Sequence, residues 1–297
     1  MSAPTSRGVH QRLAQKPPGT PPDFRPGRTL RLRVEFVRQL RRRRTQIAVL
    51  VVLALPIIVA LAFKLGGTPD EGRDGPTLVD LATTGGSNFA LFVEFAATGF
   101  LLVVLVALFC GDTVASEASW SSLRYLLAIP VPRARLLRQK LTVALALSFG
   151  VQLLLPVWAL AVGTVFFGDA PAKSPVSGSF TGSESLWRLG IVVVYVCGQS
   201  LVVAALAFLL SVSVDNPLGA VGGATLLVVV SNILDQITAL DPYRRYLPTH
   251  FNYSWLDALN QKVVWDDMMR GTGLALIYAA VFLAIAWLRF ERKDITS

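Results

Sequence analysis

Long apolar runs alternate with short polar segments along most of this 297-residue chain. Each run is about 20 residues or longer, the length that a helix needs to cross the hydrocarbon core of a bilayer. Backbone polar groups in lipid must be paired within their own segment, so we interpret each run as a transmembrane helix. Six such runs are present, at about 45–64, 88–111, 139–167, 187–213, 217–236 and 271–290. The pattern predicts an all-α polytopic membrane protein.

The polar region before the first run divides into two parts. Residues 1–28 are rich in Pro, Gly, Arg and Gln and nearly lack apolar residues, which predicts a disordered cytosolic tail. Residues 29–44 place Leu30, Val34 and Val37 on one helical face and arginines on the other. This pattern is typical of a helix in the inner membrane interface, with arginines reaching the lipid headgroups.

The distribution of positive charge predicts the orientation in the membrane. The formal net charge is +9, but 53% of the residues are hydrophobic and most lysines and arginines stand beside apolar runs. If the N-terminus is inside, 20 of the 28 lysine and arginine residues lie in inner segments. Because inner segments carry the excess of these residues, we expect both termini in the cytoplasm. We expect no nucleic-acid partner.

The segment between the last two runs, residues 235–270, is rich in aromatic residues. Tyrosine and tryptophan favour the boundary between membrane and water. Leu256, Leu259 and Val263 stand at helical spacing within it. We therefore expect short outer helices before the sixth span, and a plain outer loop with aromatic anchors is the alternative.

Motifs for catalysis and metal binding are absent from the sequence. Its histidines are His10 and His250, and no H-E-x-x-H pair occurs. Cys110 and Cys197 stand alone in apolar runs, without the spacing of metal ligands. No phosphate-binding G-x-x-x-x-G-K-[ST] loop is present. We expect neither an enzyme nor a metal site, and any transport must draw its energy from a partner or a gradient.

A basic polar stretch, residues 111–140, separates the second and third runs. Glu117, Trp120 and Arg124 follow one another at helical spacing, and two prolines at 130 and 132 end that helix. Arginines and a lysine then precede the third run. A short amphipathic helix followed by a proline turn suits contact with a cytosolic partner, and an ordinary basic loop is the alternative.

This stretch resembles the ABC-2 type permeases, the membrane subunits of one class of ATP-binding-cassette exporters. The matching residues are Gly111, Glu117, Leu123, Arg124, Leu127, Pro130, Arg133, Leu137 and Lys140. Ser121-Ser122 replaces a Gly-Thr pair of the family, and Pro132 stands where a small hydroxyl residue is usual. Six spans with an interfacial helix and outer helices also fit. The resemblance covers residues 29–290, is specific for 111–140, and makes 29–297 a permease domain.

The resemblance implies the permease subunit of an ATP-driven exporter in a bacterial plasma membrane. Its substrate would be hydrophobic or amphiphilic, such as a drug, antibiotic, lipid or glycan. The implied partners are two copies of a cytosolic ATPase that holds ATP and Mg, a second permease subunit, and membrane lipids. No cofactor is expected in this chain. The implied ATPase-coupling residues are Glu117, Trp120, Ser121, Ser122, Leu123, Arg124, Leu127, Pro130 and Arg133.

The resemblance also places the second and fifth spans along a dimer axis. Glu94, Phe95 and Thr98 would then line a substrate path, with Asn232 and Asp235 at similar depth. A carboxylate in hydrocarbon is costly, so it usually faces a cavity or a partner. The alternative for Glu94 is that its side chain reaches the outer water. For the whole protein, an ion-coupled secondary carrier and a non-transporting membrane scaffold are the alternatives, and co-purification of an ATPase separates the exporter from both.

Overall fold

The computed structural model describes residues 32–66, 78–119, 133–174 and 178–292. These residues form nine α-helices: α1 (Leu32–Leu40), α2 (Arg43–Gly66), α3 (Leu78–Leu81), α4 (Gly86–Thr98), α5 (Leu101–Ser119), α6 (Arg133–Phe167), α7 (Gly182–Ser213), α8 (Pro217–Asp235) and α9 (Asp266–Arg292). A two-residue strand β1 (Lys173–Ser174) pairs antiparallel with β2 (Gly178–Ser179). The predicted N-terminal tail and residues 120–132 lie outside the described residues.

Five of these helices are long and apolar enough to cross a membrane: α2, α6, α7, α8 and α9. The chain is therefore an all-α polytopic membrane protein, as the apolar runs predict. The run at 88–111, interpreted as one straight span, is instead the pair α4 and α5, bent by 58°. The two helices together are long and apolar enough for one broken span.

The break between α4 and α5 has local causes. Thr98 Oγ1 donates to the carbonyl oxygen of Glu94 at 2.7 Å, a contact that often bends helices. A Cβ placed on the next residue, Gly99, would lie 2.5 Å from the Tyr253 hydroxyl. The loop before α9 therefore packs against the break itself, where only a glycine leaves room.

Capping residues extend the spans beyond their apolar cores. Thr181 precedes α7, and its side chain accepts a hydrogen bond from the Glu184 amide. Asn216 does the same for the Leu218 amide before α8, where Pro217 occupies the first turn. The helices α6, α7 and α9 thus begin about five residues before the apolar runs that predicted them, because polar residues continue a helix outside the hydrocarbon core.

Helix α7 is the centre of the bundle. Of its most apolar window 67% is buried, against 22% for α2, α8 and α9. It packs against α5, α8 and α9, while α6 packs against α2 and α4. Phe208 of α7 and Leu155 of α6 are fully buried in the two core clusters. The remaining apolar faces of the outer helices are left for lipid or for other protein.

The segment between α8 and α9 forms three short 3-10 helices: Thr238–Leu240, Tyr243–Tyr246 and Ser254–Leu259. Arg188 of α7 is buried and holds this segment, donating to the carbonyl oxygens of Ala258, Asn260 and Gln261 at 2.5–3.1 Å. Trp255 is fully buried, which differs from its expected place at the membrane boundary. The part of the segment around Ser254–Leu259 is thus packed into the core, because an arginine satisfies its backbone acceptors, whereas Tyr243 and Tyr246 are exposed.

Helices α4 and α6 approach closely through two glycines. A Cβ on Gly163 of α6 would lie 2.9 Å from Gly86 Cα and 2.8 Å from Phe89 Cβ. Small residues at such crossings allow the backbones to come into contact. Gly150, in the same helix, would meet nothing within 4 Å.

Gly163→Ala should therefore destabilise the bundle by about 1–3 kcal/mol, the usual cost of overpacking. Gly150→Ala is the matched control and should leave stability unchanged or raise it by about 0.5–1 kcal/mol through helix propensity. Unfolding in mixed micelles, followed by circular dichroism, measures both variants. Equal stability of the two variants would contradict the close contact.

Candidate coupling site and intramembrane polar site

Two oppositely charged residues stand at the two ends of the segment 120–132. Glu117 lies near the end of α5, and Lys140 lies near the beginning of α6. Lys140 Nζ is 2.5 Å from Glu117 Oε1, and the two side chains are only 4% and 5% exposed. Arg38 of α1 donates to the same oxygen at 2.8 Å. A buried ion pair therefore joins the helix that precedes residues 120–132 to the helix that follows them, and Arg38 adds the first helix to this contact.

Helix α1 completes what we call the charged cluster, formed by Glu35, Arg38, Glu117 and Lys140. Arg38 Nε lies 3.1 Å from Glu35 Oε2, and Lys140 Nζ lies 4.0 Å from Glu35 Oε1. Removing one partner of such a buried group leaves an uncompensated charge, which is strongly destabilising. The cluster thus fixes α1, α5 and α6 to one another.

A second contact lies one turn and a half earlier on α5. Asp112 is buried, and its Oδ2 accepts from Arg42 Nη1 at 3.3 Å and also pairs with Arg44. These arginines were expected to reach lipid headgroups. They contact a carboxylate of the bundle instead, because a buried acid requires a positive partner.

Burial and nearby charges both shift the pKa values of the arginines that precede α2. Burial lowers the pKa of Arg38, but the carboxylates of Glu35 and Glu117 outweigh it and the net pKa is raised. Burial, followed by the charge of Arg38, lowers the pKa of Arg42. Arginine remains charged at neutral pH in either case, so both contacts are ionic.

The predicted coupling residues fall into two groups. Trp120, Ser121, Ser122, Leu123, Arg124, Leu127 and Pro130 lie outside the described residues. Arg133 begins α6, and Glu117 is described in full. The Glu117 side chain does not lie on an exposed face, where a partner would meet it, but within the charged cluster. Glu117 therefore joins α5 to α1 and α6, and its contact with a partner stays a prediction, as does that of residues 120–132.

The predicted path residues lie on two helices with different neighbours. Glu94 is 0% exposed on α4, so its side chain does not reach outer water. The Phe95 ring contacts Tyr253, with 5.2 Å between centroids. Helix α4 packs mainly against α6, whereas α8 packs against α5 and α7. Asp235 of α8 pairs with His250 at 2.5 Å, and Asn232 is half-buried. Among the described residues of one chain, the predicted path residues on α4 therefore do not pack against those on α8.

A small cavity with mainly apolar walls and a few polar side chains lies beside the break between α4 and α5. Its volume is about 30 Å³, and its polar lining comes from Thr98, Gln152, Gln199, Ser200 and Asn252. Gln152 Nε2 donates to Ser200 Oγ at 3.1 Å. The residues other than Thr98 were missed as site residues, although a glutamine within an apolar run is the signal that marks Gln152.

Both carboxyl oxygens of Glu94 lack a hydrogen-bond partner among the described residues, as do Gln152 Oε1 and Trp255 Nε1. Thr98, which lines the cavity, stands one helical turn after Glu94 on α4. Gln152 shares this cavity with Thr98, and the Trp255 ring contacts Phe95, the residue after Glu94, with 6.3 Å between ring centroids. Buried polar atoms without partners are costly, so this arrangement is typical of a functional site.

An apolar groove of about 640 Å³ runs between α7 and α9. Tryptophans 187 and 265 flank it, and its walls include Ile191, Val194, Met268 and Leu276. A groove of this size can hold a drug-sized or lipid-like apolar ligand. Within the described residues, no group of three or more His, Cys, Asp or Glu side chains is arranged to hold a metal ion.

Residues 79–296 match a family described as proteins of unknown function, DUF2705. The match covers most of the chain, and the protein belongs to this family. Among curated proteins, none matches this sequence. Family membership therefore assigns no activity, and any function must be argued from the geometry of the site.

Lys140→Met should lower the free energy of unfolding by about 3–5 kcal/mol, because it leaves the buried carboxylate of Glu117 with less countercharge. The double variant Glu117→Gln/Lys140→Met should be more stable than Lys140→Met, since both charges are then removed. Arg270→Met, which breaks an exposed pair with Asp267, is the control and should cost no more than about 1 kcal/mol. Strictly additive effects of the two cluster substitutions would contradict the ion pair.

Proposed function

We propose that this protein is the membrane-spanning permease subunit of an ATP-driven ABC exporter. In this account it lies in a bacterial plasma membrane, pairs with a second permease subunit, and draws energy from two copies of a cytosolic ATPase. The observation that carries the proposal is the charged cluster at the base of residues 120–132. That segment belongs to the stretch that resembles the coupling region of ABC-2 permeases.

Coupling requires a stiff link between the segment that meets the ATPase and the membrane helices. Lys140 and Glu117 join α6 to α5, and Arg38 joins both to α1. Because buried ion pairs tolerate little displacement, movement of residues 120–132 would carry the ends of these three helices together. ATP-driven closure of the ATPases would then shift the population between inward-open and outward-open states.

The break between α4 and α5 could accommodate this movement. Helix α5 ends at the charged cluster and is joined to α4 through the 58° bend. Short breaks of this kind commonly absorb a change in backbone angle. In the proposed topology α4 and α5 form the second of six spans, and both termini lie in the cytoplasm. The apolar groove between α7 and α9 supports the proposal that the substrate is hydrophobic or amphiphilic.

A second candidate function is an ion-coupled secondary carrier. The observation that favours it is the buried, unpaired Glu94 beside a broken helix, since both features occur in ion-coupled transporters. Such a carrier would work in vesicles without an ATPase, whereas the proposed exporter would not.

The exporter proposal predicts that a cytosolic ATPase co-purifies with the tagged full-length chain from its own membranes. Arg124→Glu should abolish this association, because it reverses a charge in the segment proposed to contact the ATPase. Arg270→Glu, which reverses an exposed charge on α9, is the matched control and should retain it. Quantitative mass spectrometry of the purified material measures the ratio of the two proteins. Equal recovery in both variants, or no ATPase with the wild-type chain, would contradict the proposal.

A further inference from the structure

Glu94 differs from every other buried charged side chain in the described part of the protein. The buried charged side chains are Glu94, Asp112, Glu117, Lys140 and Arg188. The last four all have ion-pair partners, from Asp112 with its arginines to Arg188 with Glu184. Glu94 has none, and neither of its oxygens accepts a hydrogen bond. The fold thus neutralises each buried charge except this one.

An ionised carboxylate without partners is far more costly to bury than a neutral carboxylic acid. The surroundings of Glu94 supply no countercharge. On the helices packed near it, Lys140 of α6 is held in the charged cluster, and Arg188 of α7 is bound to Glu184 and to backbone carbonyls. Of the other titratable side chains on neighbouring elements, Cys197 of α7 and Tyr253 carry no positive charge, and Lys64 of α2 lies over the Phe166 ring. In this conformation the carboxyl must therefore carry a proton.

A space for water lies one helical turn along α4 from Glu94. Thr98 lines this small cavity with Gln152, Ser200 and Asn252, whereas Glu94 is not among its lining residues. A cavity of about 30 Å³ is large enough for a water molecule, which needs about 10–15 Å³ and two to four polar partners. Water from this cavity would therefore reach the carboxyl only when the break between α4 and α5 opens.

A metal ion fits the region less well than a proton. The cavity has room for a water molecule but not for a hydrated ion. The described residues also provide no metal-binding group of three or more acidic, histidine or cysteine side chains. A proton needs neither a cage nor a larger space, and the unpaired carboxyl is sufficient to hold it.

We propose that Glu94 is a proton-binding site, loaded while it is buried and unloaded when the break between α4 and α5 opens to water. When the break opens, the proton leaves to a water molecule that enters beside the carboxyl, and it returns from the hydronium ion. This inference does not rest on the exporter proposal, since it concerns one carboxyl and the water that reaches it.

Infrared spectroscopy of the full-length protein in vesicles of ether-linked lipids, which have no ester carbonyl groups to overlap the carboxyl band, tests the inference directly. At pH 7 exposed carboxyl groups, with an ordinary pKa near 4, are ionised, so a protonated-carboxyl C=O band must come from a buried acid. We expect this band in the wild-type protein and its loss in Glu94→Gln. Glu291→Gln, an exposed acid on α9, is the matched control and should keep the band. A wild-type protein without the band, or a folded Glu94→Gln variant that retains it, would overturn the assignment.

Transfer to D₂O tests the exchange with water. The wild-type band should shift to lower frequency as the proton is replaced by a deuteron, whereas a band that stays in place for days would overturn the unloading step. Glu94→Asp provides a variant for the case in which Glu94→Gln does not fold. It should keep a protonated-carboxyl band at a different frequency, and an unshifted band would show that another acid is responsible. Circular dichroism checks the fold of each variant.

Discussion

The ion pair between Lys140 and Glu117 is the contact on which the arrangement of α1, α5 and α6 depends. In a membrane, apolar faces gain little by leaving lipid for protein, so burial alone does not fix which helices meet. A buried charge is different, because it has few acceptable positions and each requires a partner. Arg38 and Glu35 extend the pair to α1. The helix that precedes the first span is thereby joined to the two ends of residues 120–132.

Polar groups in the rest of the bundle serve different purposes. Arg188 satisfies the carbonyl oxygens of the segment before α9, and Tyr195 donates to the Phe251 carbonyl oxygen at 2.7 Å. These contacts hold that segment against α7, where Tyr253 packs on Gly99 at the break. Glu94 is the exception among the buried charged side chains that the structure describes, since its carboxyl has no partner there. A paired cluster at one end and an unpaired acid near a break are what a protein that changes shape in the membrane would require.

The sequence predicted the apolar helices well, because the length and composition of a membrane span are local properties. The break at Gly99 was not predicted, because the apolar run continues through Phe100 and Leu101 and the Tyr253 hydroxyl that lies against Gly99 comes from a distant part of the chain. Asn232 was expected at a depth similar to that of Glu94, which stays a prediction, and depth alone does not tell which helices are neighbours. The features that the sequence did not predict depend on contacts between residues that are far apart along the chain.

Local pattern also failed for Glu117. A polar residue on a short amphipathic helix is normally exposed, and only its partners on α1 and α6 explain why this one is buried. Part of the pairing was indicated by Lys140, because a lysine at the beginning of a long apolar run needs a negatively charged partner if it is buried. The pairing itself depends on how α5 and α6 meet, which no spacing along the chain encodes.

The rate of ATP hydrolysis by a complex of the full-length chain with the proposed ATPase partner tests the central claim most directly. At a temperature where circular dichroism shows Lys140→Met to be folded, the account predicts that the ATPase remains bound to this variant. Its hydrolysis should nevertheless lose the stimulation that the wild-type permease gives, while Arg270→Met keeps it. Full stimulation in the folded Lys140→Met complex would contradict the claim that the charged cluster links residues 120–132 to the membrane helices.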